Sequence, residues 1–113
     1  MEEQAVGPDL VLTVERTGSS AVLGVAGELD AYSSPQLESQ ISGLTDDAVD
    51  EVVLDLSATR FLDSSGLRAI LSAQQSLQER DGRLRLRKPS EAVRRLLEIT
   101  GLDDHFDVES EER

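Results

Sequence analysis

Two segments early in the chain are rich in apolar and β-branched residues and predict β-strands. They run from Leu10 to Glu15 and from Ala21 to Glu28, and a turn-prone cluster around Gly18 separates them. Runs of this kind joined by a short turn pair side by side, so we predict an antiparallel pair. Residues 1–8 have little apolar surface to bury, and we expect a flexible N-terminal segment there.

Apolar residues recur at helical spacing in three later segments. The first predicted helix begins at the N-cap Ser34, with Pro35 in the first position, where a missing backbone N–H costs nothing. The third predicted helix begins at the N-cap Ser90 and ends at Gly101, with Leu102 making the hydrophobic contact of a Schellman ending.

The second predicted helix lies between these two. It begins at Ser64 or Ser65 and runs to about Arg80, with a stripe of leucine and isoleucine facing inward. Gly82 is the predicted left-handed residue that ends it.

Three other segments predict strands. Glu51 to Leu56 is mostly apolar, which is typical of a central strand covered on both faces. Arg83 to Arg87 alternates arginine with leucine, which is typical of a strand with one buried face and one solvated face, nearer an edge. Phe106 to Val108 predicts a short last strand.

The predicted element order is β-β-α-β-α-β-α, followed by the short last strand. Alternating strands and helices indicate an α/β domain with parallel strands joined by right-handed crossovers. We therefore predict one domain over residues 9–108, with a mixed sheet of four or five strands and about three helices. Residues 109–113 are the predicted acidic C-terminal tail. A chain of 113 residues is long enough for one such domain and too short for two.

The composition argues against several classes of function. The net charge of -12 disfavours a nucleic-acid partner, because phosphate binding needs a clustered basic face. With no cysteine and one histidine, we expect no disulfide and no transition-metal site. The N-terminal residues lack the features of a signal peptide, and no run reaches the roughly 18 apolar residues of a membrane span. We therefore expect a cytoplasmic protein without a membrane partner.

The most informative stretch covers residues 52–71, in which a buried strand leads into a helix through Asp63, Ser64, Ser65 and Gly66. This arrangement holds at least one serine hydroxyl at the surface near a helix N-terminus, where phosphate is favoured. The chain lacks the glycine patterns of Rossmann and P-loop nucleotide sites, so no cofactor is predicted. An enzyme with a serine nucleophile would need a base, and His105 is the sole histidine and lies near the end of the chain, which we expect to fray.

Three segments resemble the bacterial anti-sigma factor antagonists, the single-domain members of the STAS family. They are FLDSSGL from Phe61 to Leu67, GELD from Gly27 to Asp30, and the stretch from Pro89 to Leu102. The resemblance covers roughly Leu10 to Val108. It implies a role in transcription regulation, such as a stress response or sporulation, through binding to an anti-sigma factor that is also a serine kinase.

The resemblance also implies a phosphorylation switch. The kinase phosphorylates the first serine of the D-S-[ST]-G motif, here Ser64, and the complex dissociates. A metal-dependent serine phosphatase then restores the antagonist. Ser65 remains an alternative acceptor. The implied partner-binding residues are Asp30, Tyr32, Asp63, Ser65, Gly66 and Leu67.

Several of these residues have a structural alternative. Asp63 either positions the hydroxyl or caps the helix, Asp30 is either a partner contact or a turn aspartate, and Gly66 either admits the kinase or allows close packing. A functional alternative is a STAS scaffold, or a subunit of a lipid-transport or stress-signalling complex, in which Ser64 contacts a partner passively.

Overall fold

The computed structural model describes residues 9–109 in full and the backbone of residues 2–5. In this part of the chain, seven strands and three helices follow one another. They are β1 (Glu2–Ala5), β2 (Leu10–Thr17), β3 (Ser20–Leu29), α1 (Ser34–Asp46), β4 (Glu51–Asp55), β5 (Thr59–Leu62), α2 (Ser64–Gln78), β6 (Arg83–Arg87), α3 (Glu91–Thr100) and β7 (Asp107–Glu109).

The strands form one mixed sheet in the order β1-β2-β3-β4-β6-β7, with β5 also beside β3. The pairings of β1 with β2 and of β2 with β3 are antiparallel, whereas those of β3 with β4 and β5, of β4 with β6, and of β6 with β7 are parallel. The predicted α/β class, the antiparallel opening pair and the central place of β4 are confirmed. The structure adds β1 and β5 to the predicted strands.

Strand β5 occupies part of the predicted loop between β4 and α2. β3 is ten residues long and pairs with β4 over residues 20–24 and with β5 over residues 27–29. The Thr59 hydroxyl is buried and donates to the carbonyl oxygen of Val25 at 2.6 Å. Only the two ends of β5 are buried, so its sequence has no strand periodicity. β5 is therefore recognisable as a strand only through its pairing with β3.

Both ends of the predicted domain differ slightly from the structure. Residues 2–5 pair antiparallel with β2 in the segment that was predicted to be flexible. Glu109, the first residue of the predicted tail, belongs to β7. Residues 1, 6–8 and 110–113 lie outside the described part of the chain, so the rest of both terminal predictions is untested.

The core lies between the helices and one face of the sheet. Residues on β3 alternate strictly between buried and half-buried, as expected for a strand with one covered face. Helix α1 packs on α2, and α3 packs on β5. Burying each large aliphatic side chain contributes about 1.5 to 3 kcal/mol. The largest fully buried side chains are Leu10, Leu12, Leu23, Val25, Leu29, Leu37, Ile41, Leu54, Leu56, Ile70, Leu77 and Leu86.

The N-cap of α3 is the predicted residue, whereas the N-cap of α1 lies one residue earlier than predicted. The N-cap of α1 is Ser33, not Ser34, and its side chain makes no capping hydrogen bond; Pro35 is therefore the second residue of the helix and not the first, still within the first turn. The Ser90 side chain caps α3 as predicted by accepting the backbone N–H of Val93.

The helix ends differ between α2 and α3. After α2 the left-handed residue is Asp81, with φ of 61°, so the prediction of Gly82 was wrong by one position. After α3 the left-handed residue is Gly101, with φ of 75°. The backbone N–H of Leu102 donates to the carbonyl oxygen of Leu97 at 2.8 Å, which confirms the Schellman ending. None of the described helices has both the length and the hydropathy needed to cross a membrane.

Candidate functional site

The candidate site lies where the parallel strands β3 and β5 end side by side. Leu29 is the last residue of β3, and it pairs with Leu62, the last residue of β5. The backbone N–H of Asp63 donates to the carbonyl oxygen of Leu29 at 3.3 Å, which continues the pairing by one residue. The loop that begins at Asp30 and the helix that begins at Ser64 therefore leave the same edge of the sheet.

Asp63 is the N-cap of α2. Its backbone is extended, with φ of -107° and ψ of -172°, and its carboxylate accepts the backbone N–H of Gly66 at 3.0 Å. The first helical hydrogen bond runs from the N–H of Leu67 to the Asp63 carbonyl oxygen, also at 3.0 Å. An N-cap of this type contributes about 1 kcal/mol to stability. Of the two roles considered for Asp63 from the sequence, the structure shows the capping role.

The two serines of the motif differ in exposure. Ser64 is the first residue of α2 and is exposed, whereas Ser65 is half-buried. No hydrogen bond in the described part of the chain uses the side chain of either serine. The Ser64 hydroxyl is thus accessible from solvent on a helical turn whose backbone is fixed by the cap.

Gly66 lies against the end of β3. A Cβ atom at this position would come within 2.6 Å of both the Leu29 carbonyl oxygen and the Leu62 Cδ1 atom, closer than van der Waals contact allows. Gly66 therefore permits the close packing of α2 on the sheet. Leu67, which the resemblance places among the partner contacts, is 5% exposed and belongs to the core.

Asp30 organises the loop that follows β3. Its Oδ1 atom accepts the backbone N–H groups of Tyr32 and Ser33, each at 3.0 Å, and lies 3.1 Å from the Ser33 hydroxyl. The hydrogen bond from the Ser33 backbone is the main reason why the pKa of the Asp30 carboxyl lies below its ordinary value, and these bonds outweigh the opposing effect of burial. Asp30 is therefore a turn aspartate whose charged form is stabilised by the loop.

Tyr32 and Ser33, in the loop that follows β3, differ in their exposure to solvent. Tyr32 is 77% exposed at the loop tip, where its ring is available to a partner. Ser33 is buried, and its hydroxyl oxygen lies 3.0 Å from the Glu28 carbonyl oxygen and 3.1 Å from the Asp30 Oδ1 atom, so its one proton is shared between these two acceptors. The role of Ser33 was not predicted, although an aspartate whose side chain accepts the backbone N–H two residues on is a recognised turn signal.

The electrostatics of this edge are mainly acidic. The carboxylates of Asp30 and Asp63 lie in adjacent segments, and Glu28 lies on β3 just before them. Arg60 on β5 pairs loosely with Glu28, with 3.8 Å between its Nη2 atom and the Glu28 Oε2 atom.

A shallow groove adjoins the site between β5 and α3. It encloses about 500 Å³, and its apolar lining consists of Phe61, Leu62, Ala92, Leu96 and Ile99. Phe61 and Ile99 are large hydrophobic residues that remain exposed there. The groove places apolar surface next to the polar edge.

The arrangement of the described residues supports neither a metal site nor a catalytic triad. Within residues 9–109, no three His, Asp or Glu side chains are grouped so that they could hold a metal ion. The His105 ring packs edge-on against Phe106, with 5.4 Å between the ring centroids. The structure thus brings Asp30, Tyr32, Asp63 and Ser64 to one edge of the sheet, whereas the His105 ring packs against Phe106.

Comparison with known proteins gives a consistent result for nearly the whole chain. A family model described as the STAS domain matches residues 11–113. The anti-sigma-B factor antagonist of Staphylococcus aureus strain NCTC 8325 is 34% identical over 84 residues, which cover 74% of this chain and 78% of that protein.

Solved structures agree with the sequence relatives. An anti-sigma factor antagonist from Mycobacterium paratuberculosis has 31% identity and a TM-score of 0.78, with 90% of this chain and 86% of that chain covered. The anti-sigma factor antagonist SpoIIAA has 27% identity; its unphosphorylated form has a TM-score of 0.76 over 88% of this chain and 89% of its own. Its phosphorylated form has a TM-score of 0.70 over 88% and 92%. The chain therefore belongs to the STAS domain family.

Proposed function

We propose that this protein is an anti-sigma factor antagonist in a partner-switching pathway. Its unphosphorylated form binds an anti-sigma factor that is also a serine kinase, and this releases a sigma factor for transcription. Phosphorylation of Ser64 abolishes the binding. The observation that carries the proposal is the exposed Ser64 hydroxyl on the first turn of α2, at the edge where β3 and β5 end. The names of the relatives, and the existence of SpoIIAA in two phosphorylation states, support it.

The fold is suited to carry a phosphate at Ser64. The side chain is exposed and makes no hydrogen bond within the described residues, so phosphorylation disrupts no internal contact. A phosphoserine adds roughly -1.5 to -2 charges at neutral pH. At a helix N-terminus such a charge is favoured by about 0.3 to 1 kcal/mol. The switch therefore operates without unfolding of the domain.

The same charge is unfavourable in an interface. Binding would desolvate Ser64 together with the neighbouring carboxylates of Asp30 and Asp63, and an unpaired buried charge costs several kcal/mol. A loss of about 3 kcal/mol already lowers affinity by more than a hundredfold. Repulsion and desolvation at the interface are thus sufficient to dissociate the complex.

The proposed partner surface extends from the Asp30 loop to the first turn of α2. It retains the residues that the resemblance implies, namely Asp30, Tyr32, Asp63, Ser65, Gly66 and Leu67. Tyr32 supplies the exposed aromatic ring, a side chain that is enriched in interfaces. Asp63 and Gly66 contribute by fixing the position of Ser64, and Leu67 contributes through its place in the core under the helix.

The proposed cycle needs two further conditions. A metal-dependent serine phosphatase removes the phosphate and restores binding, and the whole cycle takes place in the cytoplasm, where ATP and the transcription machinery are found. The protein itself acts by binding, and the chemical steps belong to the kinase and the phosphatase.

The test combines phosphorylation and binding with the cognate kinase. The unphosphorylated protein captures the kinase from the native cell, and the purified pair is incubated with Mg-ATP and analysed by mass spectrometry. We expect one phosphate on Ser64. Ser64→Ala should block its addition and keep binding, Ser64→Glu should weaken binding, and Ser65→Ala should still be phosphorylated.

The opposite results point to the alternatives. A phosphate on Ser65 would move the acceptor by one residue. Equal binding of the Ser64→Ala and Ser64→Glu variants would contradict the switch and favour a scaffold that uses Ser64 as a passive contact. Tyr32→Ala should weaken binding without changing the melting temperature, whereas Val108→Ala, an exposed apolar side chain on β7, should change neither.

A further inference from the structure

Arg68 lies one helical turn after Ser64 on α2, and both residues are exposed. Residues four apart on a helix have Cβ atoms about 5 to 6 Å apart and lie on the same face. The long arginine side chain at position 68 can therefore reach a group attached to the Ser64 Oγ atom.

Arg68 has no acidic neighbour on its helix. The residues three and four positions away are Ser64, Ser65, Leu71 and Ser72. No ion pair joins Arg68 to another described residue, whereas the exposed Arg60 and Arg95 each pair with a glutamate. Among the described residues, the Arg68 guanidinium thus has no ion-pair partner in the unphosphorylated protein.

We propose that Arg68 is the intramolecular counter-ion of phosphorylated Ser64, an inference that rests on the proposed phosphorylation. The kinase transfers the γ-phosphoryl group of ATP to the Ser64 Oγ atom; an O–P bond forms, the bond to ADP breaks, and the hydroxyl proton passes to a base of the kinase. The product places a negative group four residues before a positive one, which is the favourable order on a helix. A guanidinium donates two parallel N–H groups to phosphate oxygens.

The carboxylates near Ser64 are the reason why its phosphate would need a counter-ion. Asp63 precedes the phosphorylated residue, and Asp30 lies in the adjacent loop, so both carboxylates repel the phosphate. The nearby Glu28 is already paired with Arg60. Arg68 compensates part of this repulsion and so stabilises the phosphorylated form against the phosphatase.

The test measures the ionisation of the phosphate itself. The full chain is made with phosphoserine genetically encoded at position 64, and its second pKa is followed by ³¹P NMR. Arg68 should lower this pKa, so Arg68→Gln should raise it by about 0.2 to 0.4 units, the equivalent of an exposed i,i+4 ion pair. Arg68→Lys, which keeps the charge, should retain much of the lowering.

Arg94→Gln is the matched control. Arg94 is exposed on α3, forms no ion pair with another described residue and lines a different groove. Its removal changes the net charge equally and should leave the phosphoserine pKa unchanged. An equal pKa in the wild-type and Arg68→Gln phosphoproteins, or an equal rise in Arg94→Gln, would overturn the inference. Since the phosphoserine is encoded, failure of the kinase to modify Ser64 would instead overturn the proposed function alone.

Discussion

The carbonyl oxygen of Leu29 accepts the backbone N–H of Asp63 at 3.3 Å, and this contact joins the end of β3 to the start of α2. The same oxygen lies 2.6 Å from the place that a Cβ atom on Gly66 would occupy. The site is therefore built on backbone groups that approach one another closely. Its geometry depends on a small residue at position 66 and on the pairing of β3 with β5.

Replacing Gly66 with alanine should destabilise the protein. Alanine is favoured over glycine within a helix by about 1 kcal/mol, but its Cβ atom would overlap the Leu29 carbonyl oxygen and the Leu62 side chain. Overpacking of this kind costs about 1 to 3 kcal/mol. We expect Gly66→Ala to lower the urea midpoint of unfolding.

Gly43 on α1 provides the control for this substitution. No atom lies within 4 Å of a Cβ added there, so Gly43→Ala should stabilise the protein by about 0.5 to 1 kcal/mol. If both alanine variants were stabilised equally, α2 would not be packed as closely on β3 as the structure shows.

Removing the Asp63 side chain should cost the cap of α2. Asp63→Ala leaves the Gly66 backbone N–H without its acceptor, and the expected loss in unfolding free energy is about 1 kcal/mol. Asp63→Asn keeps an oxygen in the same place and should lose much less. Chemical denaturation of the two variants measures the difference, and an equal loss in both would mean that the carboxylate charge matters more than the hydrogen bond.

The Asp30 loop should respond to pH. The pKa of Asp30 is lowered mainly by the Ser33 backbone N–H. A carboxyl with a lowered pKa contributes stability that is present above its unfolded pKa, about 3.9 for aspartate, and that is lost as the pH falls through its folded pKa. Asp30→Asn should therefore be less stable than the wild type near neutral pH, and the gap should narrow in acid.

An NMR titration of the Asp30 carboxyl tests the same contact directly. Ser33→Ala removes the side-chain hydrogen bond but keeps the backbone one, so it should raise the Asp30 pKa part of the way to its ordinary value. An unchanged pKa would show that the Ser33 hydroxyl does not contribute.

The ion pair between Arg87 and Glu109 should stabilise the attachment of β7. A hydrogen bond from Arg87 lowers the pKa of the Glu109 carboxyl. Arg87→Gln should raise that pKa and destabilise the protein by up to about 1 kcal/mol at neutral pH, with the effect disappearing in acid as Glu109 protonates. Arg83→Gln, which loses a more exposed pair with Asp107, is the control and should have a smaller effect.

Local signals were sufficient for much of the fold. The order of the three helices and of five of the seven strands, the central place of β4 and the ends of α3 at Ser90 and Gly101 all follow from short-range patterns, because periodicity and caps involve residues within a few positions of each other. β5 was missed because its four residues have no periodicity, and a distant strand supplies its pairing.

The candidate site, too, was predicted in part from local sequence signals and was completed only by tertiary contacts. The sequence alone identified the strand-to-helix turn and the exposed serine within it, since a cap residue, two serines and a glycine before an apolar stripe are recognisable locally. Parallel strands also predict that the Asp30 loop and this turn leave the same edge of the sheet, which the structure confirms, whereas the tertiary structure decided that Leu29 pairs with Leu62 and that Gly66 serves close packing. Both depend on backbone contacts between β3 and the segment from β5 to α2, and such contacts between residues distant in sequence leave no local pattern.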